Sequence, residues 1–137
     1  MKISKTATKV TKDNKIVTLG LKPTYPATGF GYIECENKAY LEKENHEVFP
    51  VKGFREKPDE KTAKDFIEKG SFFWNSGMFI FKIETMINAF EKHMPELWDG
   101  ISKIKSDLSN LEEVFPSLPS ESIDYGVMEK VKEQVNI

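Results

Sequence analysis

The sequence predicts an α/β fold, one mixed sheet with flanking helices, from three observations. The run Phe72-Phe73-Trp74-Asn75-Ser76-Gly77-Met78-Phe79-Ile80-Phe81 is dense in bulky apolar residues and reads as a buried strand with a polar break at its centre. Residues Asp59 to Gly70 read as a helix capped at both ends. Around them strand-like and helix-like stretches mix, with no internal repeat and no low-complexity segment.

The totals bound the function. The chain has 137 residues, 39% hydrophobic and 31% charged, with a formal net charge of −2. That is the composition of one ordinary soluble domain over residues 1–137, long enough for a real core. The absence of a basic excess argues against nucleic acid as a partner, and the interleaved lysines and glutamates read as solvated faces. The single Cys35 allows no internal disulfide, argues against a cysteine-based metal site and fits a reducing cytoplasm. His46 and His93 lie in polar segments without ligand spacing. Met1-Lys2-Ile3-Ser4-Lys5 lacks the apolar run of a signal peptide. No stretch approaches the roughly 18 apolar residues of a membrane helix. The expectation is a soluble cytoplasmic protein.

Taken in order, Ile3, Ala7 and Val10 fall at helical spacing and predict a short amphipathic helix that its threonines weaken. It reads as the tail of something longer. Lys15 to Leu21 is a strand with Val17, Leu19 and Leu21 on one face, stopped at Pro23. Thr24 to Gly29 is a loop by its prolines and glycine. Phe30 to Cys35 resumes as a strand, Glu36-Asn37-Lys38 turns the chain, and the residues on to Glu47 read as polar surface. Val48 to Lys57 is a third strand. In the next helix Asp59 is the N-cap, Ala63, Phe66 and Ile67 form the apolar face, and Gly70 is the C-cap. After the central strand, Ile83, Met86, Ile87, Phe90 and Met94 line a helix broken at Pro95, and Leu97, Ile101, Ile104 and Leu108 line a second. Pro116 and Pro119 mark a loop that leads to Ser122–Lys130, and Val135-Asn136-Ile137 looks like the start of a strand.

Four clusters carry chemistry. An amide and a hydroxyl in an apolar strand need polar partners, since burying them unpaired costs about 1–3 kcal/mol. Asn75 and Ser76 therefore either cap a kink or face a ligand. Gly29 and Gly31 at a loop-to-strand junction either make a tight turn or offer bare backbone to a ligand. They lack the spacing of a phosphate-loop signature. Glu56 and Lys57 are adjacent on a strand end, so they point to opposite faces and need not pair with each other. They are either a solvated charge pair or an acceptor for sugar hydroxyls beside a phosphate-holding ammonium. Asp124 is either an N-cap or a hard-metal ligand; Mg²⁺ often takes one or two carboxylates plus substrate phosphates. Nothing has the form of a nucleophile–base triad or a zinc cluster. By residues alone this is a sugar- or phosphate-binding α/β domain.

The series Leu21–Ile33, Phe54–Asp59, Trp74–Phe79 and Ser122–Lys130 resembles the mannose-1-phosphate guanylyltransferases (GDP-mannose pyrophosphorylases) of the sugar nucleotidyltransferase superfamily. The blocks stand in the family's order, at family-like spacing, over nearly the whole chain. The resemblance implies a Rossmann-like, glycosyltransferase-A-like domain. It also implies a reaction in which mannose 1-phosphate attacks the α-phosphorus of GTP to give GDP-mannose and pyrophosphate, with Mg²⁺. Gly31 would present backbone to the sugar, Glu56 would bond mannose hydroxyls, and Lys57 would hold the sugar phosphate. Asn75 would bond the sugar, and Asp124 would be one of two aspartates on Mg²⁺.

The sequence also departs from the family. Its glycine-rich nucleotide loop and first metal aspartate are absent, as is the strand expected after Ile137. The resemblance therefore implies the sugar-phosphate-binding half of a catalytic domain, inactive alone, with the nucleotide-binding part absent. The rival expectations are a non-catalytic sugar-phosphate-binding or regulatory module, and a sibling transferase using another sugar or base. A truncated sheet would expose unpaired edges and favour a homo-oligomer.

Overall fold

A mixed sheet dominates the first of two units into which the chain divides, residues 1–82 with 132–137; the second is residues 83–131. The computed structural model describes residues 2–39, 41–43, 46–131 and 134–136. The strands are β1 (Ile16–Leu21), β2 (Tyr32–Cys35), β3 (Leu41–Lys43), β4 (His46–Arg55), β5 (Phe72–Ile80) and β6 (Gln134–Asn136). Their order is β2-β5-β1-β6-β4-β3. β1 and β6 run parallel, and the other pairs are antiparallel.

β4 changes partner along its length. It faces β3 from His46 to Val48, β6 at Phe49 and Pro50, and β2 from Val51 to Arg55. Proline has no N–H to give a ladder, so Pro50 suits the point where one ladder ends and the next begins. Its carbonyl accepts from Glu36 N at 2.9 Å. As a result β3 alone among the described strands has a single partner. β3 itself lies in a segment that reads as polar surface. Three residues, Leu-Glu-Lys, carry too little alternation to signal a strand.

The expected Val17–Leu19–Leu21 face is not how β1 is buried. Ile16, Val17 and Thr18 are all buried, because β1 is interior to the sheet, whereas Leu21 is 53% exposed. Helix α1 (Lys2–Val10) contributes Ala7 and Val10 to a core cluster with Val17, Val48 and Val135. Within it Thr8 Oγ1 back-bonds to Ser4 O at 2.8 Å, and just beyond its end Thr11 Oγ1 donates to Thr8 O at 2.9 Å.

Helix α2 (Glu60–Lys69) follows its caps as expected. Asp59 Oδ1 accepts from Thr62 N at 2.7 Å, and Gly70 closes the helix at φ 69°, a left-handed angle that costs glycine least. The Thr62 amide and then the nearby Lys61 hold the Asp59 carboxyl below its usual range. Phe66 stacks on Phe72 with centroids 4.0 Å apart, beside fully buried Tyr32 and Ala63.

The second unit holds α3 (Ile83–His93), α4 (Pro95–Ser102), α5 (Leu111–Val114) and a π-helical turn, Asp124–Met128. α3 buries Met86 and Ala89, while Ile83, expected on its apolar face, is 76% exposed at the helix start. Pro95 opens α4 at a position where its missing N–H costs nothing. The second apolar stripe stops early, with Ile101 and Leu108 exposed. Asn110 explains why: its Oδ1 accepts from Lys105 N at 2.8 Å and its Nδ2 donates to Lys103 O at 2.9 Å, fixing a turn in place of helix. Among the described residues no helix is long and apolar enough to cross a membrane.

Candidate functional site

The polar break in β5 sets the geometry. β1 pairs with β5 at Val17↔Ile80 and Thr18↔Phe79, then jumps to Gly20↔Asn75. Leu19 thus stands opposite Ser76, Gly77 and Met78, a bulge in the ladder. Gly77 sits at φ 70° with open space around it, so conformation and not room requires glycine there. Asn75 Oδ1 accepts from Gly77 N at 2.9 Å. The Ser76 hydroxyl donates to Leu19 O and accepts from Met78 N at 3.3 Å. Local backbone therefore engages the polar groups of the break, as the kink-capping alternative expects.

The same break places Asn75 beside Gly31. Asn75 N donates to Gly31 O at 2.8 Å. A Cβ on Gly31 would lie 2.9 Å from Glu56 Oε2, 3.7 Å from Asn75 Cβ and 3.8 Å from Arg55 O. A side chain at position 31 would therefore have to displace the end of the Glu56 side chain. Three segments far apart in sequence thus converge on one corner of the first unit: a glycine backbone, a carboxylate and an amide.

Lys57 joins that corner through Glu56. The expectation that the two side chains point apart is corrected, because β4 ends at Arg55 and Lys57 adopts a left-handed φ of 36°. Lys57 Nζ lies 3.8 Å from Glu56 Oε1, with the side chains 66% and 32% exposed. A pair this open adds little stability and leaves the ammonium accessible to an anion.

Some supporting residues escaped the sequence reading. Tyr32 is fully buried, and its hydroxyl donates to Ala27 O at 2.9 Å, tying down the loop that leads into Gly31. Trp74 meets Tyr25 and Phe30 edge-on, at 5.0 and 5.2 Å between centroids. Arg55 Nη2 bonds Glu34 Oε2 at 2.9 Å across the β2–β4 ladder. No alternation singles out Tyr32, since Tyr32 and Ile33 are both fully buried; these contacts depend on register.

Asp124 lies in the second unit as the first residue of the π-helical turn, half-buried. It is not the cap of that turn: Ser122 Oγ accepts from Tyr125 N at 3.4 Å, and Glu129 N donates to the Asp124 carbonyl at 2.9 Å. Among the described residues no group of three or more His, Cys, Asp or Glu side chains is placed to hold a metal ion. A single carboxylate suits Mg²⁺ chemically but does not complete a site.

Comparison with known proteins agrees with this architecture. Residues 1–118 match the family model described as nucleotidyl transferase. A mannose-1-phosphate guanylyltransferase of Escherichia coli is 37% identical over 138 residues, covering 96% of this chain and 30% of that protein. The crystal structure of a mannose-1-phosphate geranyltransferase from Thermus thermophilus superposes with a TM-score of 0.84 at 34% identity, over 99% of this chain and 38% of that one. A mannose-6-phosphate isomerase from Helicobacter pylori superposes at 0.77 with 27% identity, over 98% of this chain and 53% of that one. The chain thus spans about a third of the E. coli and T. thermophilus proteins. By its matched residues and by the fold it shares with these proteins, the chain belongs to the nucleotidyl transferase family.

Proposed function

We propose that the chain supplies the sugar-phosphate site of a mannose-1-phosphate guanylyltransferase, the enzyme that joins mannose 1-phosphate to the guanylyl group of GTP and releases pyrophosphate. The convergence of Gly31, Glu56 and Asn75 carries the reading. In it the Gly31 backbone lies against the sugar, where a side chain would collide with Glu56. The Glu56 carboxylate accepts from mannose hydroxyls, Asn75 bonds the sugar, and the exposed Lys57 ammonium holds the phosphate. By the family resemblance alone, Asp124 would be one of two aspartates holding Mg²⁺. The ion would supply charge neutralisation at the phosphates. The E. coli, T. thermophilus and H. pylori proteins are all named for a mannose phosphate, which supports that ligand class. We place the protein in the cytoplasm, where nucleotide substrates are made, and expect no GDP-mannose synthesis from these 137 residues alone.

Calorimetric titration with mannose 1-phosphate and Mg²⁺ tests the reading. The native chain should bind; Glu56→Ala should weaken binding about tenfold or more, the scale of one lost charged hydrogen bond, and Asn75→Ala about fivefold, the scale of a neutral one. Gly31→Ala, which sets a methyl group against Glu56, should weaken it too. No heat at millimolar ligand, or three variants that bind like the native chain, would sink it.

A further inference from the structure

We propose that Ser76 is a positioning residue of the sugar-phosphate site, its hydroxyl holding the β5 bulge in the one geometry that aims the Asn75 side chain; this rests on the reading above. The bulge leaves Leu19 without a paired residue in β5. Ser76 Oγ spans the gap, donating to Leu19 O on β1 and accepting from Met78 N on β5. A hydroxyl does both at once, and an aliphatic side chain does neither.

Between these two anchors lies Gly77, whose left-handed backbone points its N–H at Asn75 Oδ1. The Asn75 amide plane is thus set by Gly77, and Gly77 is set by the two bonds of Ser76. Asn75 is also tied through its own N–H to Gly31 O, at 2.8 Å, so a shift at Ser76 reaches the corner by a short covalent path. Glycine at position 77 is what makes this clamp necessary. Its backbone has the widest freedom of any residue, and it carries no side chain whose packing could hold it in place.

The test uses the isotope-labelled chain as native protein, Ser76→Ala and Ser76→Thr, with Asn75→Ala as reference. Without ligand, Ser76→Ala should move the Asn75 side-chain amide resonances and speed Gly77 amide exchange about fivefold, the equivalent of one ordinary hydrogen bond, while Ser76→Thr stays native. With mannose 1-phosphate, Ser76→Ala should weaken binding by a similar factor and Ser76→Thr should restore it. Unmoved Asn75 resonances in Ser76→Ala overturn the proposal whether or not ligand binds. Weaker binding with Asn75 unmoved also overturns it, since the hydroxyl would then touch ligand itself. A native chain that binds nothing overturns the sugar-phosphate reading instead, and the ligand-free spectra still decide the role of Ser76. If Ser76→Ala does not fold, Ser76→Cys, close in volume and a weak donor, takes its place.

Discussion

Gly31 and Gly126 both make room for a neighbour, yet the neighbours differ. At Gly31 the crowding atom is a carboxylate oxygen of Glu56, whose side chain is 32% exposed and can swing toward water. At Gly126 it is the thioether of Met94, 7% exposed within the second unit. The chemistry is the same at both places, a missing Cβ. At the open corner it leaves room for a partly exposed carboxylate, and in the closed helical unit it preserves packing. The Gly31 substitution should therefore appear in ligand affinity with little loss of stability, and the Gly126 substitution in stability.

The largest expected effect is a control on where the first unit keeps its stability. Phe66→Ala removes a ring stacked 4.0 Å from Phe72 and should cost about 3–5 kcal/mol in denaturant unfolding. A smaller loss than Gly31→Ala causes would reverse the comparison. Next comes Gly126→Ala, which drives a methyl group into buried Met94 and should cost about 1–3 kcal/mol. Adding Met94→Ala should cost less in that background than in the native chain, a coupling that a double-mutant cycle reads directly. Additive losses would mean that Met94 is not what Gly126 makes room for.

The smallest effect concerns the α2 cap. Asp59 is held below its ordinary value of 3.8, first by the Thr62 amide. A depressed carboxyl contributes stability that is complete above its unfolded value and lost as pH falls through the folded one. Protection of the Thr62 amide, taken relative to its intrinsic exchange rate at each pH, should therefore fall on acidification through that range. In Asp59→Asn, which keeps the cap without the titration, that fall should vanish.

Much of this was legible in the chain because it depends on near neighbours. Asp59 and Gly70 bracket α2 by backbone chemistry that a few residues decide. Likewise, the apolar density of Phe72–Ile80 marks a strand and its Asn-Ser-Gly marks a break. The stripes of the second unit were less legible. Ile83 and Leu108 have the right spacing, but spacing does not show where a helix begins or that Asn110 ends the pattern with side-chain bonds to Lys103 and Lys105.

The sequence by itself determined the α/β class, the capped helix and the broken strand, because propensity and periodicity are local. Only the tertiary structure decided that Asn75 stands beside Gly31 and Glu56, that Lys57 turns back onto its neighbour, and that Ser76 bridges to Leu19. Those facts depend on register, and one extra residue in a ladder moves every side chain beyond it to the other face.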